Sequence, residues 1–212
     1  MEIEPSVIQI FSKKPVPGKV KTRLIPLLGQ HKACRLQEIM LERLLNEVVK
    51  LGECAEIWTN SLVLHPLMVN SGFPSRIQKG KDLGEKMLHA ITNGLLRRKR
   101  VVLIGSDLPP LDSTYIYQAN KALDSYDVVF GPTEDGGFGL IATKIFYSGM
   151  FDGVKWSSSS VLNKIERNLS ARSFSFFSLP YIWDVDSPND LGRFFRFMNL
   201  SPSELSVNCL IS

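Results

Sequence analysis

An α/β fold, with a mainly parallel sheet covered by helices on both sides, is what this sequence predicts. Short apolar runs alternate with amphipathic stretches through the first two-thirds of the chain. One of them, Val101-Val102-Leu103-Ile104, runs into Gly105-Ser106-Asp107-Leu108-Pro109, as a buried strand closed by a proline-locked turn would. No internal repeat breaks the pattern, and 212 residues fit a single domain over 1–212.

Val7 to Phe11 reads as the first buried strand, and a Pro/Gly/Lys loop follows it. Leu36, Met40, Leu44 and Val48 recur every four residues with Leu41 and Leu45 beside them, which predicts an amphipathic helix closed by Gly52. Cys54 to Thr59 is strand-like. Asp82-Leu83-Gly84-Glu85 has capping-box spacing, so a helix carrying Leu83, Met87, Ile91 and Leu95 starts near 82. After the strand at 101–104, Asp112 caps a helix with Ile116, Ala119 and Leu123. Asp127 to Phe130 is another strand, and a glycine turn leads into Leu140-Ile141-Ala142. Ser160 opens a short helix through Val161, Leu162 and Ile165, and Phe174, Phe176, Phe177 and Leu179 mark a late strand. Ser187-Pro188-Asn189-Asp190 starts the last helix, whose buried face is Leu191, Phe194, Phe195 and Met198.

Composition narrows the function. With 44% hydrophobic and 22% charged residues the chain builds a core, which excludes a disordered binder. A net charge of +4 suits an anionic ligand without demanding nucleic acid. Cys34, Cys54 and Cys209 form no CxxC pair and His31, His65 and His89 lack ligand spacing, so neither a disulfide framework nor a zinc site is expected. The acidic start Met1-Glu2-Ile3-Glu4-Pro5 resembles no cleavable signal, and no apolar run approaches the roughly 18 residues that span a bilayer. A cytoplasmic protein with no membrane partner is expected, and a homodimer is left open. The basic run Arg97-Arg98-Lys99-Arg100 falls at the end of a predicted helix, where cations complement the helix dipole. No aromatic residue is interleaved with it, so nucleic acid is not an expected partner.

Four loops carry chemistry, and each falls on the same edge of the expected sheet. Asp107 ends a strand where open α/β sheets place ligands, and its carboxylate can hold a hard divalent cation against phosphate. A turn or cap aspartate is the plainer alternative. The loop from Phe11 to Leu24 packs Lys13, Lys14, Lys19, Lys21 and Arg23 into a proline-stiffened turn, with Gly18 permitting close backbone approach. Those cations would neutralise phosphates; a solvated basic loop is the alternative. It is no Walker A loop, because Val20 follows Gly18-Lys19 and Lys13 stands where the first glycine belongs. No G-x-G-x-x-G occurs, so hydride transfer loses ground too. In the third loop, Gly131 to Phe138, the Gly136-Gly137 backbone can pass close to a sugar or phosphate, with Asp135 available for hydroxyls; a glycine hairpin is the alternative. The fourth, Trp183-Asp184-Val185-Asp186-Ser187-Pro188, offers Asp186 either as a charge at a helix start or as the second carboxylate beside Asp107.

Together these loops resemble a family of small bacterial proteins in the GT-A glycosyltransferase superfamily, some linked with arsenosugar biosynthesis. The resemblance runs from Phe11 to Leu191 through six motifs in order. They are the first loop, Lys81-Asp82-Leu83-Gly84-Glu85-Lys86-Met87, Gly105 to Pro109, Gly131-Pro132 with Asp135 to Ile141, Trp156-Ser157-Ser158, and Asp184 to Leu191. More distantly it extends to guanylyl- and cytidylyltransferases of cofactor biosynthesis. It implies a single GT-A, nucleotide-diphospho-sugar-transferase-like, Rossmann-like three-layer sandwich with nucleotide at the carboxyl edge. The implied activity is glycosyl transfer from a nucleotide-sugar to a small-molecule acceptor, with nucleotidyl transfer from an NTP as the alternative and a non-catalytic nucleotide-binding module as a third reading. Mg²⁺ or Mn²⁺ would sit on Asp107 and Asp186. Lys13, Gly18, Lys21 and Arg23, with Asp107, would meet the nucleotide. Asp82, Gly136, Gly137 and Trp156 would meet the substrate, and Asp107 and Asp135 would be catalytic. The chain departs from the family pattern in having Asp107-Leu108-Pro109 in place of Asp-x-Asp, and in lacking the glycine-rich nucleotidyltransferase loop.

Overall fold

The computed structural model describes residues 6–206. The acidic start at 1–5 and Cys209 lie outside that range. One seven-stranded sheet dominates, formed by β1 (Ser6–Phe11), β2 (Ala55–Thr59), β3 (Ser75–Ile77), β4 (Arg100–Gly105), β5 (Val128–Pro132), β6 (Phe138–Thr143) and β7 (Phe176–Ser178). The order is β3-β2-β1-β4-β6-β5-β7, parallel except for β6, which pairs antiparallel with β4 and β5. Among the described residues, α1 (Ile25–Lys50), α2 (Pro66–Asn70), α3 (Leu83–Leu95), α4 (Ser113–Ala122) and α5 (Val161–Ser170) connect strands, and α6 (Leu191–Met198) follows β7.

The central strands are buried on both faces, which is why they read as near-continuous apolar runs. Ile8 and Ile10 of β1 with Val102 and Ile104 of β4 meet Leu41, Leu44 and Leu45 of α1 and Ile116 and Ala119 of α4 on one face. Val7, Val101 and Leu103 point the other way, onto Met87, Ala90 and Ile91 of α3 and Ile165 and Leu169 of α5. The two-residue alternation of a strand thus feeds two helical layers. A third cluster joins Leu36 and Met40 of α1 to Trp183, Val185, Leu191 and Phe194 near the carboxyl end. Each fully buried aliphatic or aromatic side chain there contributes roughly 1.5–3 kcal/mol relative to exposure.

The predicted elements are present, with differences at their ends. The short α2 and β3 carry too few residues to show a period, and the sequence did not reveal them. At α3 the Asp82 carboxylate accepts from Glu85 N–H at 2.8 Å, but Glu85 reaches back to Lys81 N–H at 2.7 Å, so the expected reciprocal box is displaced by one residue. Ser160 does not cap α5 with its hydroxyl, which bonds Ser158 instead. The last helix opens as a single tight turn at Pro188–Asp190, where Asp190 accepts from the Ser187 N–H at 2.7 Å, and α6 follows. Of its expected buried face, Leu191 and Phe194 are buried and Phe195 and Met198 only partly so.

The basic run is placed differently from expectation. Because α3 stops at Leu95, Arg100 falls in β4, where it is buried and bonds Asp124 at 2.7 Å and the Asn120 carbonyl at 3.0 Å. Arg97 reaches the Asn93 carbonyl but also pairs with buried Glu56 at 2.8 Å. These are structural bonds tying strands to helices. Among the described residues no helix is long and apolar enough to cross a membrane.

Candidate functional site

β1 and β4 are neighbours, yet the chain leaves β1 for β2 on one side and returns to β4 on the other. The carboxyl ends of β1 and β4 therefore flank a topological switch point, where α/β sheets open a crevice. A cavity of about 390 Å³ lies there. Its lining draws on the first loop (Phe11, Lys13, Lys21), the end of β4 (Ser106, Asp107), the turn before β6 (Thr133, Asp135, Gly137) and the late loop (Asp184, Asp186), with Trp156 closing one wall.

Lys21 is the hub. Its backbone is left-handed (φ 46°, ψ 43°), a conformation costing an L-residue roughly 1–2 kcal/mol, and its side chain is only 3% exposed. The ammonium donates to Asp107 Oδ2 at 2.9 Å and to Asp186 Oδ1 at 3.2 Å. Burial works against the ammonium, but Asp107 and then Asp186 outweigh it and hold its pKa above the ordinary lysine value. Burial likewise opposes the Asp107 carboxylate. The Lys21 charge and hydrogen bond, with help from Lys13, nevertheless keep its pKa below the usual range. Arg23 stands outside, 68% exposed, on Asp186 at 3.1 Å. The two acids separated by 79 residues in sequence thus meet on one cation.

A relay of neutral groups supports this rim. Gln37 of α1 donates to Ser106 Oγ at 3.0 Å, and Ser106 donates to Ser12 Oγ at 3.0 Å. Ser12 in turn donates to the Lys13 carbonyl at 3.1 Å, so helix, β4 and first loop are tied together. In the third loop, Asp135 Oδ1 accepts from Thr133 Oγ1 at 2.6 Å and from Gly137 N–H at 3.0 Å. Gly136 sits at φ +86° with a Cβ position 2.2 Å from the Ser159 carbonyl oxygen, so any side chain there is excluded. Trp156 packs closely on Gly84, whose Cβ position falls 2.7 Å from the indole.

The structure gathers most of the expected residues and leaves some aside. Lys13, Lys21, Asp107, Asp135, Gly137, Trp156 and Asp186 line the cavity. Gly18 and Gly136, both at positive φ, and Arg23 are not in the lining. Asp82, expected at the substrate, is exposed, is not in the cavity lining, and places its carboxylate on the α3 cap. Asp184 was missed. Burial first, then repulsion from Asp186, Asp135 and Asp107, pushes its pKa up to about 6. The signal was legible as alternation, since Trp183 and Val185 are buried while Asp184 and Asp186 share the opposite face.

Among the described residues no group of three or more His, Cys, Asp or Glu is arranged to hold a metal ion by itself. The donor set still fits one kind of cation. Mg²⁺ is commonly held by one or two carboxylates, with substrate phosphates and water completing its shell. Asp107 and Asp186 offer that pair, and the ammonium between them demonstrates that they attract positive charge.

Residues 50–158, just over half of the chain, match the family described as uncharacterized protein conserved in bacteria, DUF2064. The chain belongs to this family. The DUF2064 match contains Asp107, Asp135 and Trp156, while the first loop and Asp186 lie outside it. A solved structure from Desulfovibrio desulfuricans G20, described as a candidate nucleotide-diphospho-sugar transferase, is 30% identical with a TM-score of 0.83. It covers 95% of this chain and 93% of its own. A 2-phospho-L-lactate guanylyltransferase of Methanocaldococcus jannaschii is 30% identical over 122 residues, 56% of this chain and 51% of that protein. The chain thus spans about half the length of the curated relatives it matches. At 9% identity and a TM-score of 0.58, a glucosyl-3-phosphoglycerate synthase of Mycobacterium tuberculosis shares the fold over 93% of this chain and 81% of its own. The architecture is therefore the GT-A-like, nucleotide-diphospho-sugar-transferase type, and the proteins this DUF2064 chain resembles are described as transferases.

Proposed function

We propose that this DUF2064 chain is a metal-dependent transferase, one GT-A domain over 1–212, that moves a sugar from a nucleotide-diphosphate-sugar to a small acceptor. The meeting of Asp107 and Asp186 on Lys21 at the mouth of a nucleotide-sized cavity carries this reading. Asp107 and Asp186 would hold Mg²⁺ or Mn²⁺, which when bound neutralises charge on the departing diphosphate, an effect worth several kcal/mol. The structure of the Mycobacterium tuberculosis synthase, in complex with Mn²⁺ and UDP, supports the choice of ion and ligand.

The chain's own residues do the rest. Lys21, Lys13 and Arg23 face the phosphates and balance their charge. Asp135, its Oδ1 fixed by Thr133 and Gly137, presents Oδ2 to the acceptor hydroxyl. It takes the proton as the acceptor oxygen bonds to the anomeric carbon and the bond from that carbon to the diphosphate oxygen breaks. Gly137 and Trp156 wall the sugar, and the backbone at Gly136 sets the turn that brings Asp135 forward.

The guanylyltransferase relative favours a second reading, nucleotidyl transfer. There an acceptor oxygen would attack the α-phosphorus of an NTP and pyrophosphate would leave from the same cleft. The deciding experiment screens UDP-, GDP- and dTDP-sugars against free NTPs for Mg²⁺- or Mn²⁺-dependent binding and product formation. Preference for nucleotide-sugars is the expected result. Tight binding of an intact triphosphate with pyrophosphate release would overturn glycosyl transfer in favour of the second reading.

A further inference from the structure

The carboxylates of the cleft are not equally neutralised. Asp107 and Asp186 share Lys21, and Asp186 has Arg23 as well. Glu134, on the third loop, is paired with Arg193 at 2.8 Å, and that guanidinium also lies 4.4 Å over the Trp183 ring. None of the described ion pairs reaches Asp135 or Asp184. The asymmetry follows the sheet. The basic loop follows β1, whereas Asp135 lies in the turn after β5, and β4 and β6 stand between those two strands. Asp184 is strung between the two. Ile182 N–H bonds the Pro132 carbonyl at 3.0 Å and Val185 N–H bonds the Asp107 carbonyl at 3.2 Å, so the strand-like stretch carrying Asp184 crosses from β5 to β4.

A donor whose diphosphate is matched to the lysines leaves the β5 side of the cavity for the second substrate. That side presents two carboxylates with no described ion pair, Asp135 and Asp184, with Phe138 of β6 as an apolar wall. We infer that the acceptor is an uncharged, hydroxyl-bearing small molecule, and that Asp184 is the specificity-determining residue that turns phosphorylated and carboxylated acceptors away. An acceptor anion placed there meets like charge on two sides, while Lys13 and Lys21, the lysines of the lining, are turned to the diphosphate in the reading above. An uncharged hydroxyl meets the acceptor oxygens it needs and pays no such repulsion. The bonds made and broken are those of glycosyl transfer given above, and the inference rests on that reading.

The test separates the two claims. Mn²⁺-dependent binding of UDP-glucose, GDP-glucose and dTDP-glucose is measured first, and failure there removes the transferase reading itself. On protein loaded with Mn²⁺ and the matching nucleoside diphosphate, the affinities of D-glucose and D-glucose 6-phosphate are then compared for wild type, Asp184→Asn and Asp184→Glu. The expected result is that Asp184→Asn tightens glucose 6-phosphate about tenfold while glucose changes less than twofold, and that Asp184→Glu restores discrimination. Glucose 6-phosphate binding the wild type as tightly as glucose, or an affinity for it unmoved by Asp184→Asn, overturns the inference.

Discussion

Asp107 and Lys21 show how single side chains in this protein answer to their partners more than to their sequence neighbours. If the two acids hold the cation, Asp107→Asn keeps the shape of the site but removes one ionic ligand. Turnover is expected to fall at least about 100-fold, in line with a several-kcal/mol Lewis-acid contribution. Circular dichroism should stay near wild type because the Asp107 side chain packs no core, but the melting point should fall, because the buried Lys21 ammonium loses its leading counter-charge. Lys21→Met has a split outcome. A charge-assisted hydrogen bond to phosphate is worth about 1.5–3 kcal/mol, so nucleoside diphosphate affinity should drop roughly tenfold or more. Mn²⁺ alone should bind tighter than in wild type, because its competitor for the two carboxylates has gone; titration calorimetry reads both. At this scale the sequence was half legible. Asp107 announced itself by ending an apolar strand, whereas Asp184 hid beside a more obvious aspartate. No spacing rule could reveal that Lys21 and Asp186 converge, because that contact depends on how the sheet closes.

Elements carry their own signatures, and the capping aspartates were the clearest of them. Asp82 caps α3 through the Glu85 N–H, so Asp82→Ala should cost about 1 kcal/mol in urea denaturation. Nucleotide affinity should not change, since Asp82 is not in the cavity lining; a large loss of binding without loss of stability would establish it as a ligand contact. Under the sheet, Glu56 of β2 collects Arg76 at 2.6 Å, Arg97 at 2.8 Å, Trp58 Nε1 at 2.9 Å and Gln9 at 3.0 Å. Burial alone would raise its pKa, but Arg97, Arg76, Trp58 and Gln9 outweigh that and lower it. Because the folded pKa lies below the unfolded one, this carboxylate stabilises the fold fully above the unfolded value near 4.5. That contribution is lost as pH falls through the folded pKa. Glu56→Gln should therefore flatten the acid limb of a stability-against-pH curve, and an unchanged limb would show the network is not what acid breaks. None of this was visible beforehand, because the basic run that supplies Arg97 reads as a helix terminus until α3 is seen to stop at Leu95.

For the molecule as a whole, the alternation of strands and helices was enough to predict a mainly parallel sheet, because the longer crossover helices left apolar periods of their own. The antiparallel β6 was not predicted: hydrophobic pattern reports burial, and both strand directions bury the same residues. The third cluster, where α6 and Trp183 pack on α1, has a consequence beyond packing. Asp107 is borne by the middle of the sheet, but Asp186 is borne by the tail that wraps back onto the first helix. A guest gripping both acids would therefore act as a clasp, fastening the late segment around 183–198 to the middle of the sheet. Hydrogen exchange should register this unevenly, slowing most at 183–198 when Mn²⁺ and nucleoside diphosphate are added together, while β1 and β4, already shielded, change little.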